Sequence, residues 1–210
     1  MRIIRNIRIK NDGDYLTTIG LKRLIGFEVR VLMIERDKNQ YLELLTYLIN
    51  YLIDSESLIN NGHTIAYHSW ILKFVTTNNI FSIYEAKSNG DGFKEGVDYA
   101  MKVVAEQKQE CNNCNTSALF PLFSQMIVIS DGVLEGKDLD AVRYPSPNHM
   151  AGWWLTTELY DDDVKSLKTV HYHHLAFNRP DIIKYMALPF GFRFLSGKQT
   201  EIWFDEKVLL

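Results

Sequence analysis

The segment from Phe27 to Ile53 reads FEVRVLMIERDKNQYLELLTYLINYLI, and two hydrophobic periods meet inside it. In its first part Phe27, Val29, Val31 and Met33 share one side while Glu28 and Arg30 take the other, the two-residue period of a β-strand. The run then turns continuously apolar, as an inner strand does. From Lys38 to Ile53 the period changes. Tyr41, Leu44, Leu45, Leu48, Tyr51 and Leu52 recur at three- and four-residue spacing, which lays one apolar stripe along a helix. Asp37 stands at the N-cap position, where a carboxylate accepts from backbone N–H groups that the first turn leaves unpaired. A strand followed directly by a helix that packs on a sheet excludes an all-helical bundle and a β-sandwich.

Working outward, Ile3 to Lys10 suits a strand with one solvated face, Asn11 to Asp14 is a turn, and Leu16 to Leu21 a second strand. Beyond the helix, Asn60-Asn61-Gly62 marks a turn before two β-branched and aromatic runs, HTIAYHSWILKFV (His63 to Val75) and IFSIYEA (Ile80 to Ala86). After the loop Ser88 to Gly92, a second helix is expected from about Lys94 to Gln109, with Val97, Ala100, Met101, Val104 and Ala105 inward. The polar stretch Glu110 to Ser117 closes the first half. FSQMIVIS (Phe123 to Ser130) and GWWLTT (Gly152 to Thr157) read as strands, ending at the turns Asp131-Gly132 and Asp161-Asp162-Asp163. LKTVHYHHLAF (Leu167 to Phe177) is expected to be a strand, and Asp181 to Leu188 a short helix with Pro180 in its first turn. Pro189 and Gly191 stop that helix; GFRFLS and TEIWFDE form an antiparallel pair. The expected class is α+β (mixed α/β): a largely antiparallel sheet or two small sheets, two longer helices and one short C-terminal helix. The expected organisation is an N-terminal α/β module over residues 1–118 and a C-terminal α+β module over 119–210, packed as one compact unit or divided.

With 46% hydrophobic residues in a chain of 210, there is enough apolar surface for a core that needs no disulfide or metal staple. A net charge of −3, from 23 basic and 26 acidic side chains, is too balanced for a general nucleic-acid or membrane binder. The N-terminal MRIIRNIRIK lacks the apolar core of a signal peptide, and no run approaches eighteen apolar residues. The expected location is the cytoplasm, where the only two cysteines, Cys111 and Cys114, stay reduced.

Cys111-x-x-Cys114 has the spacing of half a zinc site, but no second C-x-x-C supplies the other half. It follows a helix, whereas a thioredoxin-like pair would precede one; free thiols are the expectation, and no cofactor or metal is assigned. On a strand, His171 and His173 would share a face, with His174 opposite. They are the candidate centre of a rival reading, a metal-dependent hydrolase, yet neither H-E-x-x-H nor G-x-S-x-G accompanies them. SNGDG (Ser88 to Gly92) lacks the Lys-Ser/Thr of a phosphate loop. Charge is more informative. Asp131, Glu135, Asp138, Asp140, Glu158, Asp161, Asp162 and Asp163 oppose only Lys137, Arg143 and Lys165, so the segment from Asp131 to Lys165 is net −5. It flanks Trp153 and Trp154, and strand alternation places one indole in the core and the other on the opposite face. An aromatic anchor rimmed by charge is the composition of a protein-binding surface, with Trp153 or Trp154 and Asp161, Asp162 and Asp163 as its residues.

The order G-W-W-L (Gly152 to Leu155), R-P-D-I (Arg179 to Ile182) and Y-M-A-L-P-F-G-F-R-F (Tyr185 to Phe194) resembles the immunity protein thirty-three family, as does IVISDGVLEG (Ile127 to Gly136). That is a bacterial domain family linked to polymorphic toxin systems, and the resemblance covers roughly residues 120 to 196. In the N-terminal half, Thr17 to Val31 and Asn61 to Ile65 are similar to suppressor-of-fused-like bacterial domains. The resemblance implies a cytoplasmic, non-enzymatic protein that binds and blocks a cognate toxin, and from the charge balance no nucleic-acid or membrane partner is expected; the other rival is a structural subunit of a larger assembly. Within the likeness, Gly152, Pro180, Leu188, Pro189 and Gly191 are expected to fix the fold.

Overall fold

The computed structural model describes residues 2–35, 37–55 and 59–210. It divides into two compact units, one comprising the chain up to Tyr67 together with Ile71–Lys102, the other His68–Trp70 and Val103–Leu210.

The first unit is built on β1 (Arg2–Ile4), β2 (Ile7–Asp12), β3 (Tyr15–Ile19), the single-turn helix α1 (Lys22–Ile25), β4 (Glu28–Leu32), α2 (Lys38–Asp54), β5 (Thr64–Tyr67), β6 (Trp70–Thr77), β7 (Ile80–Ala86) and β8 (Phe93–Glu95). The sheet order is β1-β2-β3-β4-β7-β6-β5, with β8 added to β7. β4 and β7 run parallel, while β1 to β4 form an antiparallel meander. The two periods of Phe27 to Ile53 become β4 and α2. Val29 and Val31 are buried in β4, and Tyr41, Leu44, Leu45, Leu48 and Leu52 are buried along α2. At about 1.5–3 kcal/mol per buried leucine-sized side chain, that stripe is a main source of the unit's stability. Asp37 caps α2 by accepting from Asn39 N–H at 2.8 Å. The Tyr41 hydroxyl donates to Asp98 Oδ1 at 2.6 Å and accepts from Ile34 N–H.

Three boundaries in this half differ from expectation. Leu21 belongs to no strand; it opens α1, which Gly26 closes in the left-handed region at φ 89°. His63 to Val75 is two strands hinged at His68. The second long helix, α3 (Asp98–Asn113), starts four residues late because Phe93–Glu95 pair with β7 instead, and Ala105 is exposed while Val103 and Gln107 are buried. Glu85 takes the place of a cap: fully buried, it accepts from Ala100 N–H at 2.7 Å.

In the second unit β9 (Met126–Ile129), β10 (Asp140–Arg143), β11 (Met150–Thr156), β12 (Lys168–His171), β13 (Phe192–Leu195) and β14 (Glu201–Phe204) form one sheet in the order β12-β9-β11-β10-β13-β14. Only β9 and β11 are parallel. Two sheets, two long helices, the short α4 and the single-turn α1 match the expected α+β class, and β13 with β14 is the expected hairpin. The short helix is elsewhere, however. The chain leaves β12 at His171 and forms α4 (Tyr172–Asn178), and residues 181–188 carry only a 3₁₀ turn, Ile183–Tyr185. Tyr172, Leu175 and Ala176 are the buried residues of α4, at helical spacing, and that burial outweighs the strand propensity of HYHH. Pro180 therefore follows the helix, where its missing N–H is harmless, instead of opening one.

Candidate functional site

The two indoles of β11 separate as alternation requires. Trp153 is fully buried and its Nε1–H donates to Met186 O at 2.9 Å, so it is the core member of the pair. Trp154 is half-buried on the opposite face, edge-on to Tyr144 at 5.8 Å between ring centroids. Gly152 permits this arrangement: it sits at φ 84° where the β9–β11 register shifts, and a Cβ there would lie 2.3 Å from Tyr144 O.

Around Trp153 the scaffold is held by a residue that sequence reading passed over. Arg143 is buried without a carboxylate partner among the described residues. Its Nε–H donates to Ala151 O at 2.8 Å, and Nη1 faces Leu119 O at 2.7 Å, Met186 O at 3.1 Å and Leu188 O at 2.5 Å. The Trp153 and Phe190 rings flank the guanidinium. Burial pulls it down to about 10, so it stays charged at neutral pH. Arg179, also buried, donates to Val133 O at 2.7 Å and Lys137 O at 3.0 Å and pairs with Asp181 at 2.8 Å. The motif R-P-D thus ties the turn after β9 to the end of α4.

Asp161, Asp162 and Asp163 lie on an exposed turn, and two of them shape it. Asp161 accepts from Ser166 Oγ–H at 2.9 Å and from Asp163 N–H at 3.1 Å, bonds that hold its carboxyl below the usual range. Asp163 accepts from Lys165 N–H and caps a 3₁₀ turn. Asp162 occupies the left-handed region at φ 63°. Of the other acids in the net −5 segment, Asp131 pairs with Lys168, Glu158 with Lys137 at 2.6 Å and Asp140 with Arg193 at 3.3 Å. Because Arg143 is interior, the surface of this segment is more acidic than its sequence count.

Strand pairing extends the face that carries Trp154. Directly opposed residues run Thr169, Val128, Trp154, Val142, Arg193 and Trp203 across all six strands. Arg193 lies over the Trp203 ring at 5.4 Å. The next row contains Thr156, Asp140, Leu195 and Glu201. At that end a cleft of about 490 Å³ is lined by Asp138, Asp140, Glu158, Lys137, Thr156 and Leu195 among others. Tyr144, Arg193 and Trp203 were not singled out from sequence; only alternation in TEIWFDE marked Trp203, and nothing fixed which sheet it would join.

The rival site is placed differently from expectation. Cys111 lies in the last turn of α3, and Cys114 just beyond it, instead of in a polar loop. Both are free; burial pushes the Cys111 thiol up to about 11, with Cys114 adding, and raises Cys114 too. His171 ends β12, and His173 and His174 belong to α4, so the strand-face argument does not apply. The three rings nevertheless cluster, with centroids 4.2–6.2 Å apart, and burial and the neighbouring imidazoles hold His174 below its ordinary value. Among the described residues no group of three or more His, Cys, Asp or Glu side chains is placed to hold a metal ion. Nor is any described helix long and apolar enough to cross a membrane.

Residues 106–205 match the family described as the Imm33-like domain, just under half of the chain. The match takes in every strand of the second sheet, together with α4. The suppressor-of-fused-like stretches, Thr17 to Val31 and Asn61 to Ile65, lie outside it. No curated protein and no solved structure matches the chain.

Proposed function

We propose, from the Imm33-like character of residues 106–205, that this chain is a non-catalytic immunity protein that neutralises a cognate bacterial toxin in the cytoplasm by binding it. The family match carries the proposal, since the residues it covers include the whole second sheet. The geometry is compatible with a binder. The buried charges Arg143 and Arg179 are spent on backbone carbonyls and on Asp181, holding loops rigid, and rigid loops lower the ordering cost of association. The contact region is Trp154 with Asp161, Asp162 and Asp163; Trp153 supports it from the core. An acidic, aromatic surface would speed encounter with a basic toxin domain.

The test is capture of the tagged full chain from its own host, followed by expression of each stoichiometric partner alone and with this protein. A partner that kills alone and is tolerated in its presence establishes the role. If every stoichiometric partner is harmless by itself, the reading is wrong and a subunit of a larger assembly takes its place.

A further inference from the structure

The second sheet has two unlike faces. Its inner face carries Ile127, Trp153, Leu155, Ala141 and Phe194, all buried. Its outer face presents the cross-strand row centred on Trp154, in which Val128 and Val142 are buried between larger neighbours. At the usual strand spacing, six strands make this row about 24 Å wide. Its two indoles, Trp154 and Trp203, are half-buried, and Tyr144 and Leu195 beside them are each 39% exposed. Tryptophan is among the residue types that dominate binding energy at interfaces.

Charge decides the occupant. Around the row stand Asp138, Asp140, Glu158 and Glu201 at one edge and Asp205 at the other, against Lys137, Arg193 and Lys198 of the β13–β14 turn. Two of these cations are already engaged, Lys137 by Glu158 and Arg193 by Asp140 and Asp205 at 3.3 and 3.2 Å. The surplus is negative, and the cleft of about 490 Å³ at that edge gathers three of the carboxylates. Two copies of such a face would repel one another, which disfavours a symmetric dimer through it.

We infer that the outer face of the second sheet, with Trp154 and Trp203 as anchors and the Asp138–Asp140–Glu158 cleft as a pocket for an arginine or lysine side chain, is the docking surface for a basic protein partner. The inference rests on the immunity reading for the partner's identity as a toxin, but not for its chemistry. It moves the centre of contact from the Asp161–Asp163 turn to residues of β10, β11, β13 and β14. Arg193, stacked on Trp203, orders that indole before the partner arrives.

The test uses the nitrogen-15-labelled full chain, whose indole N–H signals report Trp70, Trp153, Trp154 and Trp203 separately. Hexa-arginine should shift the Trp154 and Trp203 signals and leave Trp153 unmoved, and hexa-glutamate should shift neither. The response should weaken at least about tenfold between about 20 mM and about 200 mM NaCl. The double variant Asp140→Asn, Glu158→Gln should weaken it too, with its urea midpoint confirming an intact fold. No shift, equal shifts at all four indoles, or equal response to hexa-glutamate overturns the assignment. So does a shift of the same two signals on concentrating the protein alone, which would seat a second copy on the face. With a captured partner, Trp154→Ala and Trp203→Ala should each weaken binding by about 30-fold or more. A captured toxin that binds both variants normally defeats this surface and leaves the immunity reading standing. Hexa-arginine docking with no toxin among the captured partners does the reverse.

Discussion

Replacing Arg143 by methionine should remove the pin that holds four segments together. Methionine approximates the length of the arginine stem but donates nothing. Of the four carbonyls that Arg143 serves, Met186 O keeps its bond from Trp153 Nε1–H, whereas Ala151 O, Leu119 O and Leu188 O lose their side-chain donor. Leaving a buried acceptor unpaired costs about 1–3 kcal/mol each, and relief from burying an unpaired guanidinium offsets part of the sum. The expected loss is about 3–5 kcal/mol, a large share of the 5–15 kcal/mol typical of a folded domain. Urea unfolding followed by tryptophan fluorescence is the appropriate assay, because three of the four tryptophans, Trp153, Trp154 and Trp203, lie in the second unit's sheet, with Trp70 at the start of β6. The midpoint should fall with little change in slope. Arg143→Lys separates charge from shape: lysine keeps the cation but lacks the planar fork, so it should recover only a minor part of the loss. A methionine variant within about 1 kcal/mol of the parent, or full recovery by lysine, would refute the argument that the fork organises these loops.

Gly152→Ala should destabilise the same unit by about 3 kcal/mol or more, since it combines a left-handed backbone with a Cβ 2.3 Å from Tyr144 O; urea unfolding checks it. On the acidic turn the three aspartates should behave unequally. Asp162→Asn, at the left-handed position, should leave the thermal midpoint unchanged, whereas Asp161→Ala and Asp163→Ala, each removing turn-forming hydrogen bonds, should lower it. Acid should weaken the fold through His68, whose imidazole is pulled down to about 4 by burial, with Lys108 adding. Its folded value lies below the unfolded one, so this stability is fully present above about pH 6.5 and is lost progressively as pH falls toward 4, by about 1–2 kcal/mol for a partly solvated ring. Urea midpoints measured at pH 7, 5.5 and 4.5 should show this decline in the parent, and a flatter one in His68→Asn, which tolerates the turn's φ of 54°.

Much of the architecture was legible where one period ran long enough to be unambiguous. Phe27 to Ile53 gave a strand and a helix because alternation and a six-position stripe each exceed one turn of chance. The Trp153/Trp154 division followed from the pleat alone, although the Gly152 bulge that re-aims the strand left no mark beyond a glycine. Short elements were not legible. β10 has four residues, Asp140–Arg143, bounded by Pro145, too few for alternation to register. HYHHLAF satisfied strand propensity locally, and only the spacing of Tyr172, Leu175 and Ala176 pointed to α4. Arg143 was counted among the surface charges because nothing next to it in sequence shows that carbonyls at 119, 151, 186 and 188 converge on one point. Non-local convergence of backbone acceptors has no local signature.

That convergence bears on where specificity resides. Several residues of the likeness stretches face inward or bend the chain: Gly152 makes the bulge, Trp153 shares the Met186 carbonyl with Arg143, Arg179 ties Val133 and Lys137 to Asp181, and Gly191 turns at φ 88° into β13. The chemistry of these residues is consumed within the fold, so they report a scaffold and do not locate a contact surface. The outward positions on the same strands, Trp154, Val142, Arg193 and Trp203, carry no backbone-pinning role of that kind. A substitution there changes what the sheet presents and leaves the pins intact, which is the arrangement that lets one scaffold discriminate among partners by swapping attractive and repulsive groups on a single face.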